Sequence, residues 1–211
     1  MRQARLRATA QWAMIFCAAA LSGATAAPIP NAPDPAAVQE VLAGQREEAN
    51  AAWWGFNPED VTENLQAALD SGAKRLVVPF MGADWIVRPL TLRSDQEVVF
   101  EPGVVVLAKK DEFKATGDSL FSASNASNIT LRGYGATLRM RHQDYMTKAY
   151  KKGEWRMTLD FDGCRKITVE GLRLESSGGD GIYLGATSEL PWCENVVIRD
   201  VVCDDHHRQG I

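Results

Sequence analysis

Two short stretches hold the residues best suited to chemistry. "LESSGGDGIY" runs from Leu174 to Tyr183, and "CDDHHRQGI" from Cys203 to Ile211. Laid over each other at an offset of 29, they put Glu175 on Asp204 and Ser176 on Asp205. Asp180, His206, His207 and Arg208 fall in the same polar turn. Carboxylates brought this close raise one another's pKa or share a cation such as Ca²⁺, which makes Glu175 and Asp204 candidate metal ligands. One protonated and one ionised carboxylate form the pair that glycoside hydrolysis requires. A His or Arg beside them is the base that β-elimination from a uronate needs. On this reading Asp180, Asp205, His206, His207 and Arg208 are the catalytic candidates. A solvated polar turn accounts for the same residues, since Asp, Ser and Gly suit turn geometry by themselves.

A second candidate precedes them. "RMRHQDYMTKAYKKGEWRM" (Arg139 to Met157) carries six Arg or Lys against Asp144 and Glu154, with Tyr145, Tyr150 and Trp155 interleaved. Aromatic faces stack on sugar rings, and Lys or Arg pair with carboxylates, so this segment suits an acidic polysaccharide. Tyr145, Lys148, Tyr150, Trp155 and Arg156 are the candidate substrate contacts, with Trp192 in the next loop extending the platform. An ordinary charged surface lid, and a Trp192 packed over Cys193, are the alternatives.

The elements that must position these residues are short strands. "KITVEGLRLESSGGDGI" (Lys166 to Ile182) and "NVVIRDVVCDDHHRQGI" (Asn195 to Ile211) align without a gap, and "NITLRGYGATL" (Asn128 to Leu138) begins the same way 38 residues before Lys166. Each copy holds about three strands with inward Ile167 and Val169, Leu172 and Leu174, Ile182 and Leu184. So small a unit buries its apolar face only by stacking on its own copy, which predicts a parallel β-helix of near-equal coils. Ser-Ser-Gly-Gly-Asp-Gly then becomes a corner whose glycines supply the backbone angles of a sharp bend. Cys203 takes the inward place of Leu174, and Cys164 and Cys193 stack on neighbouring coils, as a disulfide or as two thiols. Asn125 and Asn128 head glycosylation patterns, although Asn128 sits at a repeat position that favours a structural asparagine. Upstream, a helix is expected over 36–52 and another over 58–71, the latter with Asn57 as N-cap, Pro58 at the first helical position and an apolar face of Val61, Leu65, Ala68 and Leu69. Trp53 and Trp54 are expected to pack where the helices meet the coils.

"DVTENLQAALDSGAKRLVVP", "EPGVVV", "NITLRG" and "GGDGIYLG" resemble the pectin-lyase-like superfamily, over roughly residues 57–211. The resemblance implies an all-β, right-handed parallel β-helix solenoid with an N-terminal capping helix, within a superfamily that includes lyases, polygalacturonase-like hydrolases, epimerases and adhesin modules. "WWGF", "EWRM" and "GGDGIY" are similar to an uncharacterised exported branch. Of the Asn-Thr-Asp, Asp-Asp and Gly-His-Gly motifs of the hydrolases, the last is absent and the others are only echoed, so no catalytic role carries over. The calcium-binding acids of pectate lyases find no residue-by-residue match either. The chain stops at "RQGI" inside a coil, so further coils are expected to follow.

At the other end, "MRQARLR", an apolar run and Ala24-Thr25-Ala26 have the layout of a signal peptide over 1–26, with a lone membrane anchor as the alternative. Residues 27–56 then form a proline-rich linker and the first helix, and 57–211 the β-helix. Without residues 1–26 the chain has 20 basic and 27 acidic residues, net −7. That charge argues against a nucleic-acid partner, and a cleaved signal leaves no membrane anchor. The expectation is an exported protein acting on an acidic polysaccharide by lyase or hydrolase chemistry, with Ca²⁺ as the candidate cofactor. The competing expectation is a non-catalytic cell-surface module that binds glycan or protein.

Overall fold

A computed structural model describes residues 31–211. The expected signal peptide lies outside the described residues. Helix α1 (Pro35–Leu42) is capped by Asp34, whose carboxylate accepts from the Ala37 amide at 3.0 Å. It is shorter than the expected 36–52 helix. Gly44 takes φ 69°, the left-handed region that ends helices. Residues Glu48–Asn50 then leave as strand β1 and pair with Arg75–Val77, and a 3₁₀ turn covers Ala51–Trp54. Helix α2 (Thr62–Leu69) also starts later than expected, because Asp60 holds both the amide and the hydroxyl of Thr62 and Pro58 stays in a turn. Its predicted apolar face is buried, as is Trp53, with Trp54 partly buried against it.

From there the chain passes through three parallel sheets in turn. The first round is β2 (Arg75–Val78), β3 (Trp85–Val87) and β4 (Leu90–Thr91); the second is β5 (Gln96–Phe100), β6 (Val105–Ala108) and β7 (Phe121–Ser124). The third is β8 (Ser127–Arg132), β9 (Thr137–Arg139), the short helix α3 (His142–Tyr145) and β10 (Leu159–Asp162). The fourth is β11 (Arg165–Glu170), β12 (Arg173–Glu175) and β13 (Ile182–Gly185), followed by β14 (Glu194–Arg199) and β15 (Val202–Asp204). Sheet A stacks β1-β2-β5-β8-β11-β14, sheet B stacks β3-β6-β9-β12-β15 and sheet C stacks β4-β7-β10-β13, each strand parallel to its neighbours.

The register bears out the predicted neighbours: Ile167 faces Val196, Val169 faces Ile198, Leu174 faces Cys203 and Glu175 faces Asp204. The coils are not of near-equal length, however. Arg75 faces Glu97, Val98 faces Leu131, Ile129 faces Ile167 and Ile167 faces Val196, so successive coils take 22, 33, 38 and 29 residues. Strands must match in length to pair, whereas corners face solvent and absorb insertions. Turn positions nevertheless repeat. Asp95, Asn128, Lys166 and Asn195 all enter sheet A with φ of 55–60°, as a structural asparagine at that place requires.

Alternate residues of the three sheets point inward, and the core holds Leu76, Val98, Leu131 and Val169 from sheet A, Leu138 and Leu174 from sheet B, and Phe121 and Phe161 from sheet C. Leu184, expected inside, is exposed because β13 is the edge strand of sheet C among the described residues and nothing covers it. Cys164 and Cys193 are stacked as free thiols, with the Cys164 amide donating to Cys193 Sγ at 3.3 Å. On the outer face of sheet A, charges alternate from coil to coil: Glu48, Arg75, Glu97, Arg132, Glu170 and Arg199 form a continuous series of ion pairs 2.8–3.6 Å apart.

Because Leu174 is covered on both sides, by Leu138 and Cys203, Leu174→Ala is expected to cost about 2–5 kcal/mol of stability. Val197 stands exposed on sheet A, and Val197→Ala is expected to shift stability by less than about 0.5 kcal/mol. Urea midpoints of the two variants check the contrast.

Candidate functional site

The corner between sheets B and C carries both sequence candidates. The segment 140–157 leaves β9 there, Ser176–Gly181 leaves β12 one coil on, and Asp205–Gly210 leaves β15 one coil further. Backbone bonds tie these layers together: His142 N donates to Ser176 O at 2.8 Å, Ser176 N to Asp204 O at 3.0 Å and His207 N to Ser177 O at 3.1 Å. The two glycines at the start of the corner play a different part from the one expected. Neither is left-handed; Ser176 takes that role, with φ 57°. A side chain on Gly178 would lie 2.6 Å from the Tyr145 ring, and one on Gly179 would lie 2.6 Å from Met157 Sδ. The glycines are bare because the layer beneath presses on them.

That layer is anchored by residues predicted to contact substrate. Arg156 is fully buried, with Nε on Phe113 O at 2.9 Å and Nη2 on Lys114 O and Lys151 O at 3.2 and 2.9 Å. Its guanidinium lies 5.2 Å from the Tyr145 ring and 5.8 Å from the Tyr150 ring. Tyr145 and Tyr150 are 2% and 6% exposed, so they and Arg156 hold the loop down and offer no open face to a sugar. Trp192 is exposed but stands at the corner between sheets C and A, where it donates to Glu194 at 2.7 Å, so it does not extend this platform. Trp155 stays exposed on the loop. Lys148, Lys152, Glu154 and His207, over the edges of Tyr145 and Tyr150, line a cavity of about 390 Å³.

The acids of the corner are brought to one place, yet every one of them has a basic or donor partner. Arg173 reaches both Glu175 and Asp204, and Arg139 lies 2.5 Å from Glu175. Burial pushes the Glu175 carboxyl up, but the hydrogen bonds and charges of Arg173 and Arg139 outweigh it and hold it below its ordinary range. Guanidiniums therefore occupy the place expected for Ca²⁺, and Glu175 with Asp204 does not fit a divalent cation. Among the described residues, no group of three or more His, Cys, Asp or Glu is placed to hold a metal. Asp180 is buried and accepts from the Gln209 amide at 3.0 Å, with Arg208 Nε at 3.6 Å. His206 is half-buried with Nδ1 2.8 Å from Ser177 Oγ; burial lowers its pKa.

Asp205 behaves differently. Ser176 Oγ donates to its Oδ2 at 2.9 Å, and His142 Nδ1 lies 3.2 Å from its Oδ1. These contacts, Ser176 first, hold Asp205 below the ordinary carboxylate range. The His142 ring meets His207 edge-on at 5.4 Å. His142 also lines a second cleft, of about 330 Å³, together with Arg139 and Arg141. Sequence reasoning passed over His142 because its carboxylate is two coils away, and their separation matches no sum of the coil lengths.

A further pair was missed on the outer face of sheet C. Asp160 stands beside Ser122 and Tyr183, and Asp162 beside Ser124 and Gly185. Burial lifts Asp160 to about 6, against the Ser119 hydroxyl that donates to its Oδ2 at 3.0 Å and with the added charge of Asp162. Burial raises Asp162 as well, and its carboxylate fills the space over Gly185. Their alternation in "LDFD" (Leu159 to Asp162) was the available signal.

No helix among the described residues is long and apolar enough to cross a membrane. No protein-family profile and no curated protein sequence matches the chain. An iota-carrageenase complexed to iota-carrageenan fragments superimposes with a TM-score of 0.53 at 14% identity, over 73% of this chain and 35% of the carrageenase chain. A protein described as a putative glycosyl hydrolase from Parabacteroides merdae superimposes with a TM-score of 0.46 at 16% identity, over 76% of this chain and 95% of that one. The chain thus spans about a third of the carrageenase, and what the two share at this identity is a mostly β architecture of parallel sheets.

Proposed function

We propose that this chain is a right-handed parallel β-helix of an exported protein that binds an acidic polysaccharide at the corner between sheets B and C and cleaves it by β-elimination. The observation that carries the reading is the cavity in which Lys148 and Lys152 of the long loop meet His207 from two coils away. Ammonium groups neutralise the carboxylate or sulfate of an acidic sugar, exposed Trp155 offers a ring face, and histidines supply proton transfer. The fold neighbour bound to iota-carrageenan is compatible with a charged polymer lying on such coils. Elimination is favoured over hydrolysis at this corner because Glu175 and Asp204 share Arg173, Glu175 also meets Arg139, Asp180 meets Arg208 and Asp205 meets His142, which leaves no free carboxylate pair.

Hydrolysis is the second reading, and Asp160 with Asp162 carries it. A carboxyl held near 6 beside another carboxylate is the kind of pair glycoside hydrolysis uses. Products separate the two, since elimination leaves an unsaturated ultraviolet-absorbing end and hydrolysis only a reducing end. The protein is to be incubated with polygalacturonate, alginate and iota-carrageenan. Retardation in gels containing those polymers, without product of either kind, would establish a binding module instead. The absence of both retardation and product would end the polysaccharide reading.

Two variants follow. Lys148→Ala combined with Lys152→Ala is expected to weaken retardation about three- to tenfold and to flatten its dependence on salt. Asp160 is lifted to about 6 from an ordinary 3.8, so between those values the folded chain keeps a proton that the unfolded chain releases. The stability due to this group therefore falls as pH rises through that window. Asp160→Asn is expected to raise the melting temperature relative to wild type above the window and to lose that advantage below it, as melts at both pH extremes will check.

A further inference from the structure

We infer that His142 is the proton-transferring group of this corner, with Asp205 as its positioning residue and Arg141 as the cation that faces the sugar carboxylate. The inference rests on the elimination reading above and places its chemical step in the second cleft, which adjoins the first where the His142 and His207 rings meet. Three layers of the fold build the arrangement: His142 comes from the long loop, Ser176 from the next coil and Asp205 from the one after. Asp205 is kept ionised by the Ser176 hydroxyl and by His142 itself. An ionised carboxylate only accepts, so the 3.2 Å contact fixes the proton of neutral His142 on Nδ1 and leaves the lone pair on Nε2. Among the described residues, no protein group hydrogen-bonds Nε2. The side chain is 15% exposed, at the wall of the cleft it shares with Arg139 and Arg141.

The groups around the ring are Asp205, His206 and His207 from the last turn, Arg141 and Asp144 from its own loop, and Arg139 with Glu175 from the strands beneath. His206 is less suited to the role. Its Nδ1 is taken by Ser177, and its Nε2 is enclosed against the backbone of Gly181.

The step balances without a co-reactant. A uronate carboxylate is neutralised by Arg141, which makes the hydrogen on the adjacent ring carbon acidic. His142 Nε2 takes that proton, and the C–H electron pair forms the ring C=C bond as the neighbouring glycosidic C–O bond breaks. The imidazolium returns its proton to the departing oxygen, which leaves neutral His142 and no net consumption of water.

The first test needs no substrate. Diethylpyrocarbonate acylates an unprotonated, accessible imidazole nitrogen, and labelling of the full chain can be read residue by residue by mass spectrometry. His142 is expected to label faster than His206, and Asp205→Asn to slow His142 labelling severalfold while melting temperatures stay close to wild type. The second test is the pH profile of unsaturated product from polygalacturonate and alginate. His142→Gln is expected to lower kcat about 10²- to 10⁴-fold and to remove the ascending limb. Asp205→Asn is expected to lower kcat with little change in KM, and Lys148→Ala to move KM alone. Cleavage that survives His142→Gln, or His142 labelling indifferent to Asp205→Asn, overturns the inference and leaves the polysaccharide reading in place. Labelling as expected with no cleavage of any uronate polymer overturns elimination while the His142–Asp205 pair stands.

Discussion

An apolar side chain on any one of these coils is covered only by the coils next to it. Leu174 is buried because Leu138 lies on one side and Cys203 on the other, and the same holds for Ile167 between Ile129 and Val196. No coil could close a core alone, so parallel hydrogen bonding and inward alternation must hold together or fail together. Everything else in the molecule is arranged around that requirement. Strand positions are rigidly in step, and all variation in coil length, from 22 to 38 residues, goes into the corners.

The corner between sheets B and C shows what such freedom permits. An insertion there would ordinarily be a loose surface loop. Here a buried guanidinium with three carbonyl partners and two tyrosine rings against it fixes the loop to the coil beneath. The glycines of the following coil accept the resulting close contact. A layered corner of this kind brings residues from three coils within hydrogen-bonding distance, as His142, Ser176 and Asp205 show, without any of them being close in sequence.

How much of this can be read from the sequence follows from the same physics. The pairing of Leu174 with Cys203 and of Glu175 with Asp204 was legible because two gapless copies share one period. The first helix was misjudged because "REEAN" has no feature that marks it as a strand until Arg75 and its neighbours are placed beside it. Burial of Tyr145, Tyr150 and Arg156 was illegible for a different reason. Basic and aromatic residues look like a binding surface in sequence, and only the carbonyls of Phe113 and Lys114, about 40 residues away, show that the guanidinium points inward. Arg173 between two acids was likewise hidden, since alternation predicts that it faces outward but not that it closes the site it borders.

The alternating ion pairs on sheet A have one consequence for how such a molecule can grow or shrink. Individually, exposed pairs contribute little to stability, but five in succession distinguish odd from even. Deleting the turn that carries Arg75 would set Glu48 against Glu97, and deleting the one that carries Glu170 would set Arg132 against Arg199. Removing or adding two turns would preserve the order of signs. Changes in length are therefore tolerated most readily in twos, a parity rule written in surface charge on a scaffold whose interior has no such preference.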